Sequence, residues 1–225
     1  DIDALNPRTA TREIPAGKIK PQQALAFVII NAVLFIATTY FINDLCFYLS
    51  PIAIFVVLFY SYTKRITSLC HIVLGVGLGL GPVGAFLSVT GYFHIVPILL
   101  GIAVMCWTGG FDIIYSTQDE EIDRQMGLHS VPARFGRNKA LKIALGSHLA
   151  MLGLCLAFGI YWKMGIAWWF VFSLMTIAIA YIHLFRKSDD LDSLNRDFFL
   201  ANVGISFLVM VGLFVWILTG GTAFG

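Results

Sequence analysis

Seven apolar stretches, at approximately 21–41, 47–63, 69–90, 93–115, 139–161, 164–185 and 197–219, approach or exceed the length that crosses a bilayer. A spanning helix needs about 20 mostly apolar residues, and hydrocarbon forces each segment to satisfy its own backbone N–H and C=O groups. The predicted fold is therefore all-α, a multi-pass bundle in the lipid bilayer, read as a single domain over 1–225. Only 12% of residues are charged, against roughly 25% in a soluble domain. The net charge of +2, with the basic residues spread among loops, argues against a nucleic-acid partner.

Seven is an odd number of spans, and the chain opens on DIDALNPRT with neither an initiator Met nor a signal peptide. The expectation is a chain that lacks its start. Threading the spans alternately puts 1–20, 62–68, 116–138 and 186–196 on one face, together with Lys139 and Lys142; that face carries every Lys and Arg except Lys163. Basic loops stay cytoplasmic, so this face is predicted to be the cytoplasmic one. All acids but Asp44 share it. The positive-inside rule does not require acids there, and a polar cap on one side of a bundle suggests a site opening to the cytoplasm.

The densest acidic stretch is FDIIYSTQDEEIDRQMGLHSVPARFG, Phe111 to Gly136. If the preceding helix continues for two turns, Asp112, Tyr115, Asp119 and Asp123 fall on one face, leaving Glu120 and Glu121 toward solvent. A solvated acidic helix end would show the same spacing. Asp112 lies deeper, at the end of an apolar span, where an ionised group is expensive and is usually paired or functional. Mg²⁺ would neutralise such a stripe, since it binds through one or two carboxylates plus substrate phosphates. Arg8 with Arg12 and Tyr60 with Lys64 stand at i,i+4 near predicted membrane boundaries. They read either as phosphate or carboxylate ligands or as anchors at the positive-inside face.

Other features carry less. Cys46, Cys70, Cys106 and Cys155 are far apart without CxxC spacing and read as packing residues. GVGLGLGPVG at 75–84 lies within a span and reads as small residues for close helix contact. DDLDSLNRDF at 189–198 echoes the N-terminal segment but is expected to be a solvated loop and helix cap. No histidine is assigned to a metal.

The stretch YSTQDEEIDRQMGLHSVPARFG resembles the second aspartate motif, DxxxD, of the UbiA family of intramembrane aromatic prenyltransferases, and DIDALNPRTATREIPAGKI resembles the end of that family's first motif with its following RT and RPLPxG segments. YSYTKRIT and LGLGPVGAFLSVTG continue the resemblance along the chain. It is strongest to the branch containing 4-hydroxybenzoate polyprenyltransferase and the similar enzyme of the futalosine menaquinone route. The resemblance implies a helix bundle around a central cavity, with seven of nine expected helices present and the first two preceding Asp1. It also implies Mg²⁺-dependent transfer from a polyprenyl diphosphate to an aromatic acid, 4-hydroxybenzoate or a similar one, in ubiquinone or menaquinone biosynthesis, at the bacterial inner membrane or its equivalent.

The same resemblance assigns Asp3, Asp119 and Asp123 as metal ligands. Arg8, Arg12, Tyr60 and Lys64 would be substrate-binding, and Asp112 and Tyr115 would lie near the reacting carbons. REIPAG places Glu13 where the family has Pro, which predicts a local change in that loop. Two other classes stay open as alternatives. A CDP-alcohol phosphotransferase would also use DxxxD, but its preceding DGxxAR hallmark is absent. A cation transporter would need charge near the bilayer midplane.

Overall fold

Each long apolar run folds as one helix, because a segment in hydrocarbon has no other way to pair its backbone. The computed structural model describes residues 2–185 and 191–218. After a single turn, α1 (Ile2–Leu5), come α2 (Pro21–Tyr40), α3 (Asp44–Thr63), α4 (Cys70–Thr90), α5 (Ile95–Tyr115), α6 (Glu120–Gln125), α7 (Val131–Phe135), α8 (Arg137–Tyr161), α9 (Ile166–Ala180) and α10 (Leu191–Leu218). A 3₁₀ turn, Ser116–Asp119, joins α5 to α6, and a π-helical segment, Tyr181–Phe185, follows α9. Among the described residues, seven helices are long and apolar enough to cross a membrane. No strand occurs among the described residues.

Local chemistry sets the boundaries. Pro21 opens α2 at the position where its missing N–H is least needed, and the Lys20 backbone N–H donates to Gln23 Oε1 at 3.0 Å. His94 Nδ1 accepts the Val96 N–H at the start of α5. The segment 189–198 departs from expectation: it is helical from Leu191 onward, so α10 begins before the apolar run does. Asp189, Asp190 and the side chains of Asp192 and Asn195 lie outside the described residues.

By its packing the chain divides into two units, Asp1–Leu58 with Gly84–Phe93, and Phe59–Val83 with His94–Gly225. In the first, α2 turns Phe27, Ile30 and Phe35 outward, the apolar surface that a bilayer covers. Asn43 donates to Leu87 O and accepts the Cys46 N–H, both at 2.9 Å, which ties the start of α3 to the end of α4.

The second unit holds the larger core, in which Ala103, Met151, Phe158, Trp168, Met175 and Ile205 of α5, α8, α9 and α10 pack together. Here the first half of α4 meets α5 backbone to backbone. A Cβ at Gly79 would stand 2.5 Å from Gly101 O, and one at Gly75 would stand 2.6 Å from Met105 O. Small residues let membrane helices approach this closely, the role read for Gly75 and Gly79 from sequence. Polar side chains pair between helices of this unit: Trp107 Nε1 donates to Asn202 Oδ1 at 2.5 Å, and His148 Nδ1 lies 2.9 Å from His183 Nε2. All four cysteines are free, with Cys70 and Cys155 buried.

Candidate active site

The acidic stretch does not continue α5 as a regular helix. Ser116 Oγ donates to Ile113 O at 2.8 Å, and Thr117 Oγ1 donates to Ile114 O at 2.6 Å. Such local side-chain bonds compete with the helical ladder, and the backbone tightens into the 3₁₀ turn before α6 resumes. The predicted single stripe is thereby corrected. Asp112 and Tyr115 close α5, Asp119 ends the 3₁₀ turn, and Asp123 sits in α6.

Asp119 and Asp123 are 7% and 2% exposed, burial that a carboxylate tolerates only with compensation. Lys64 Nζ lies 2.8 Å from Asp123 Oδ1. The Lys64 carbonyl accepts the His129 N–H and the Asp123 carbonyl accepts the Leu128 N–H, both at 2.8 Å, so both partners are anchored to the loop after α6. The other carboxylate oxygen, Asp123 Oδ2, is buried with no hydrogen-bond partner.

Asp112 Oδ2 is bonded at 2.7 Å to His71 Nδ1, a residue to which the sequence reading gave no role. The available signal was a polar side chain inside an apolar run: two such groups in neighbouring spans reduce each other's burial cost when paired. Tyr60 lies within electrostatic range of Asp112, and Tyr115 stacks on Phe111 with ring centroids 6.4 Å apart. Glu121 is exposed as expected. Glu120 is not: its side chain is 16% exposed and meets Arg124 at 2.8 Å and Arg137 at 3.7 Å, because it starts α6 while Arg137 starts α8.

In the first unit Arg12 Nη1 lies 3.5 Å from Asp3 Oδ2, both side chains being half-exposed. Thr9 Oγ1 donates to Asp3 O at 3.0 Å, and the Arg8 N–H donates to Asn6 Oδ1 at 3.0 Å, folding the segment into consecutive turns. Asp3, Arg12, Glu13, Pro15, Gln23 and Phe27 line a cavity of about 620 Å³. Glu13 at the departed Pro position is exposed and leaves Arg12 on Asp3. Asp3 and Arg12 thus belong to one unit, and Tyr60, Lys64, Asp112, Tyr115, Asp119 and Asp123 to the other.

The donor set suits Mg²⁺. No ready-made group of three acidic, His or Cys side chains occurs among the described residues, but this ion needs only one or two carboxylates when phosphates supply the rest. The partnerless Asp123 Oδ2 is the oxygen that such a cation would satisfy.

Seven helices long and apolar enough to span, counted among the described residues, make this an integral, multi-pass membrane protein. A model of the UbiA prenyltransferase family matches residues 1–203, and the chain belongs to that family. A 4-hydroxybenzoate octaprenyltransferase of Tolumonas auensis is 28% identical over 212 residues, covering 94% of this chain and 73% of the relative. One from Yersinia pseudotuberculosis is 30% identical over 182 residues, 81% of this chain and 62% of its own length. Among solved structures, a UbiA homolog from Aeropyrum pernix K1 superposes with a TM-score of 0.85 at 29% identity, covering 96% of this chain and 80% of that one. Digeranylgeranylglyceryl phosphate synthase shares the fold, with a TM-score of 0.68 at 21% identity.

Proposed function

We propose that the chain transfers a polyprenyl group from a polyprenyl diphosphate to an aromatic acid, 4-hydroxybenzoate or a similar acid, in the biosynthesis of ubiquinone or menaquinone. The observation that carries this reading is the pair of buried carboxylates, Asp119 and Asp123, with one oxygen held by Lys64 and another left without a partner. The names borne by the relatives from Tolumonas and Yersinia support the choice of acceptor. The bias of Lys and Arg supports a site facing the cytoplasm.

Asp119 and Asp123 would hold Mg²⁺, which supplies charge neutralisation for the diphosphate and its departing pyrophosphate; Asp3 keeps the metal-ligand role that the resemblance of the first motif implies. Lys64, Arg8 and Arg12 bind phosphate oxygens, Arg through its planar fork and Lys as a point charge. The allylic C–O bond breaks with its electron pair leaving on pyrophosphate. A ring carbon of the acceptor forms the new C–C bond, and the ring proton is lost. Tyr60 and Tyr115 flank the acceptor, and Asp112 orients it or takes that proton. An apolar cavity of about 350 Å³ in the second unit, lined by residues including Leu100, Trp107, Met151, Trp168 and Leu213, suits an isoprenoid tail and excludes water from a reactive cation.

Membranes carrying the full-length protein, given polyprenyl diphosphate, 4-hydroxybenzoate and Mg²⁺, should form prenylated acid. A parallel reaction with 1,4-dihydroxy-6-naphthoate decides the acceptor. Product formation that survives Asp119→Ala would sink the metal assignment, and the absence of product with either acid would sink the function.

A further inference from the structure

His71 opens the first turn of α4 and is 2% exposed. Both of its ring nitrogens are committed. Nε2 lies 3.2 Å from the Val131 backbone N–H, which can only donate, so Nε2 carries the lone pair. A neutral imidazole has one donor and one acceptor nitrogen; the proton is therefore on Nδ1, 2.7 Å from Asp112 Oδ2. The ring cannot accept a proton from a substrate, because its single lone pair is already engaged in the protein interior. Asp112 remains 20% exposed, and among the described residues no hydrogen bond reaches its other oxygen, Oδ1.

The surroundings fix His71 at its backbone and at both ring nitrogens. Gly109 of α5 packs against the His71 carbonyl, where a Cβ would come within 3.2 Å. Val131 begins α7, the short helix that follows the second acidic motif. Asp112 lies one turn before the end of α5. Resting on the function proposed above, we infer that His71 is a positioning residue: it grips Oδ2 of Asp112 and leaves Oδ1 presented to the acceptor's proton. Anchoring one nitrogen to hold the other's partner is how histidine orientation is set elsewhere.

Two substitutions separate positioning from packing. In His71→Asn the side-chain amide N–H₂ stands near the former Nδ1, keeping the donor to Asp112 and abandoning Val131. In His71→Gln the longer side chain places its carbonyl near the former Nε2, keeping Val131 and abandoning Asp112. Initial rates are measured in membranes with the full-length protein, varying 4-hydroxybenzoate and polyprenyl diphosphate separately. Expected is a fall in kcat of about 10- to 100-fold for His71→Gln with an unchanged KM for the diphosphate, and near wild-type kcat for His71→Asn. The reverse order, equal kcat in both variants, or equal losses that follow lowered thermal midpoints would overturn the positioning role while the wild type remains active. A wild type that transfers to no aromatic acid would overturn the function itself, and Asp112's employment with it.

Discussion

Lys64 Nζ and Asp123 Oδ1 stand 2.8 Å apart, the lysine partly exposed and the carboxylate almost wholly buried. The pair is asymmetric: removing the lysine leaves a buried, uncompensated charge, whereas neutralising the aspartate leaves a cation that can reach solvent. Lys64→Ala should therefore destabilise the protein by about 1–3 kcal/mol, and Asp123→Asn by less. The double variant should lose less than the sum of the single losses, a coupling readable from thermal unfolding in detergent. Additive losses would show that the contact contributes nothing.

Chelation separates the metal from the lysine. Membranes treated with EDTA should lose prenyl transfer and regain it with Mg²⁺. Asp119→Asn should raise the Mg²⁺ concentration for half-maximal rate by about 10-fold or more, the scale of losing one charged ligand contact. A half-maximal concentration that stays at the wild-type value would remove Asp119 from the metal site.

The four acids from Asp119 to Asp123 should behave unequally. Glu121→Gln alters an exposed side chain and should change neither activity nor stability measurably. Glu120→Gln weakens contacts to Arg124 and Arg137 and should lower stability by up to about 1 kcal/mol, with kcat retained. Asp123→Asn should reduce kcat by about 100-fold or more despite a smaller change in thermal midpoint than Lys64→Ala. Comparing kcat and thermal midpoint across the set tests the division of roles.

The crossing of α4 and α5 should tolerate no side chain. Gly79→Ala puts a Cβ at 2.5 Å from a carbonyl oxygen, against backbone that has no rotamer to change, and should cost about 1–3 kcal/mol. Gly81→Ala, whose Cβ meets nothing within 4 Å, is the control and should be neutral or stabilising by its helix propensity.

The spans were legible because length and hydropathy are local properties of a segment that must meet lipid: Pro21–Tyr40 and Cys70–Thr90 fall within a residue of their expected bounds. The carboxylates were legible by their resemblance to a known pattern. What escaped depended on partners distant in sequence. The 3₁₀ break arises from Ser116 and Thr117 hydroxyls returning to the helix, a choice that spacing alone does not reveal. Glu120 looked solvent-facing until Arg137, seventeen residues on, was placed beside it. His71 looked like one more scattered histidine, and only its contacts with Asp112 and Val131 give it a task.

The 3₁₀ turn at Ser116–Asp119 also sets the phase of everything that follows it. Such a turn advances by about 120° per residue where an α-helix advances by about 100°, so four residues rotate α6 by roughly 80° relative to a helix that had simply continued. Asp112 and Asp123 are consequently indexed to different bearings on one stretch of chain. A substitution or single-residue insertion within 116–119 would re-aim Asp123 and leave the Asp112–His71 pair untouched. Substitutions beside Asp112 in α5 bear on the Asp112–His71 pair and leave the turn at 116–119 as it is, so the two groups of side chains are open to separate mutation along a segment only a few turns long.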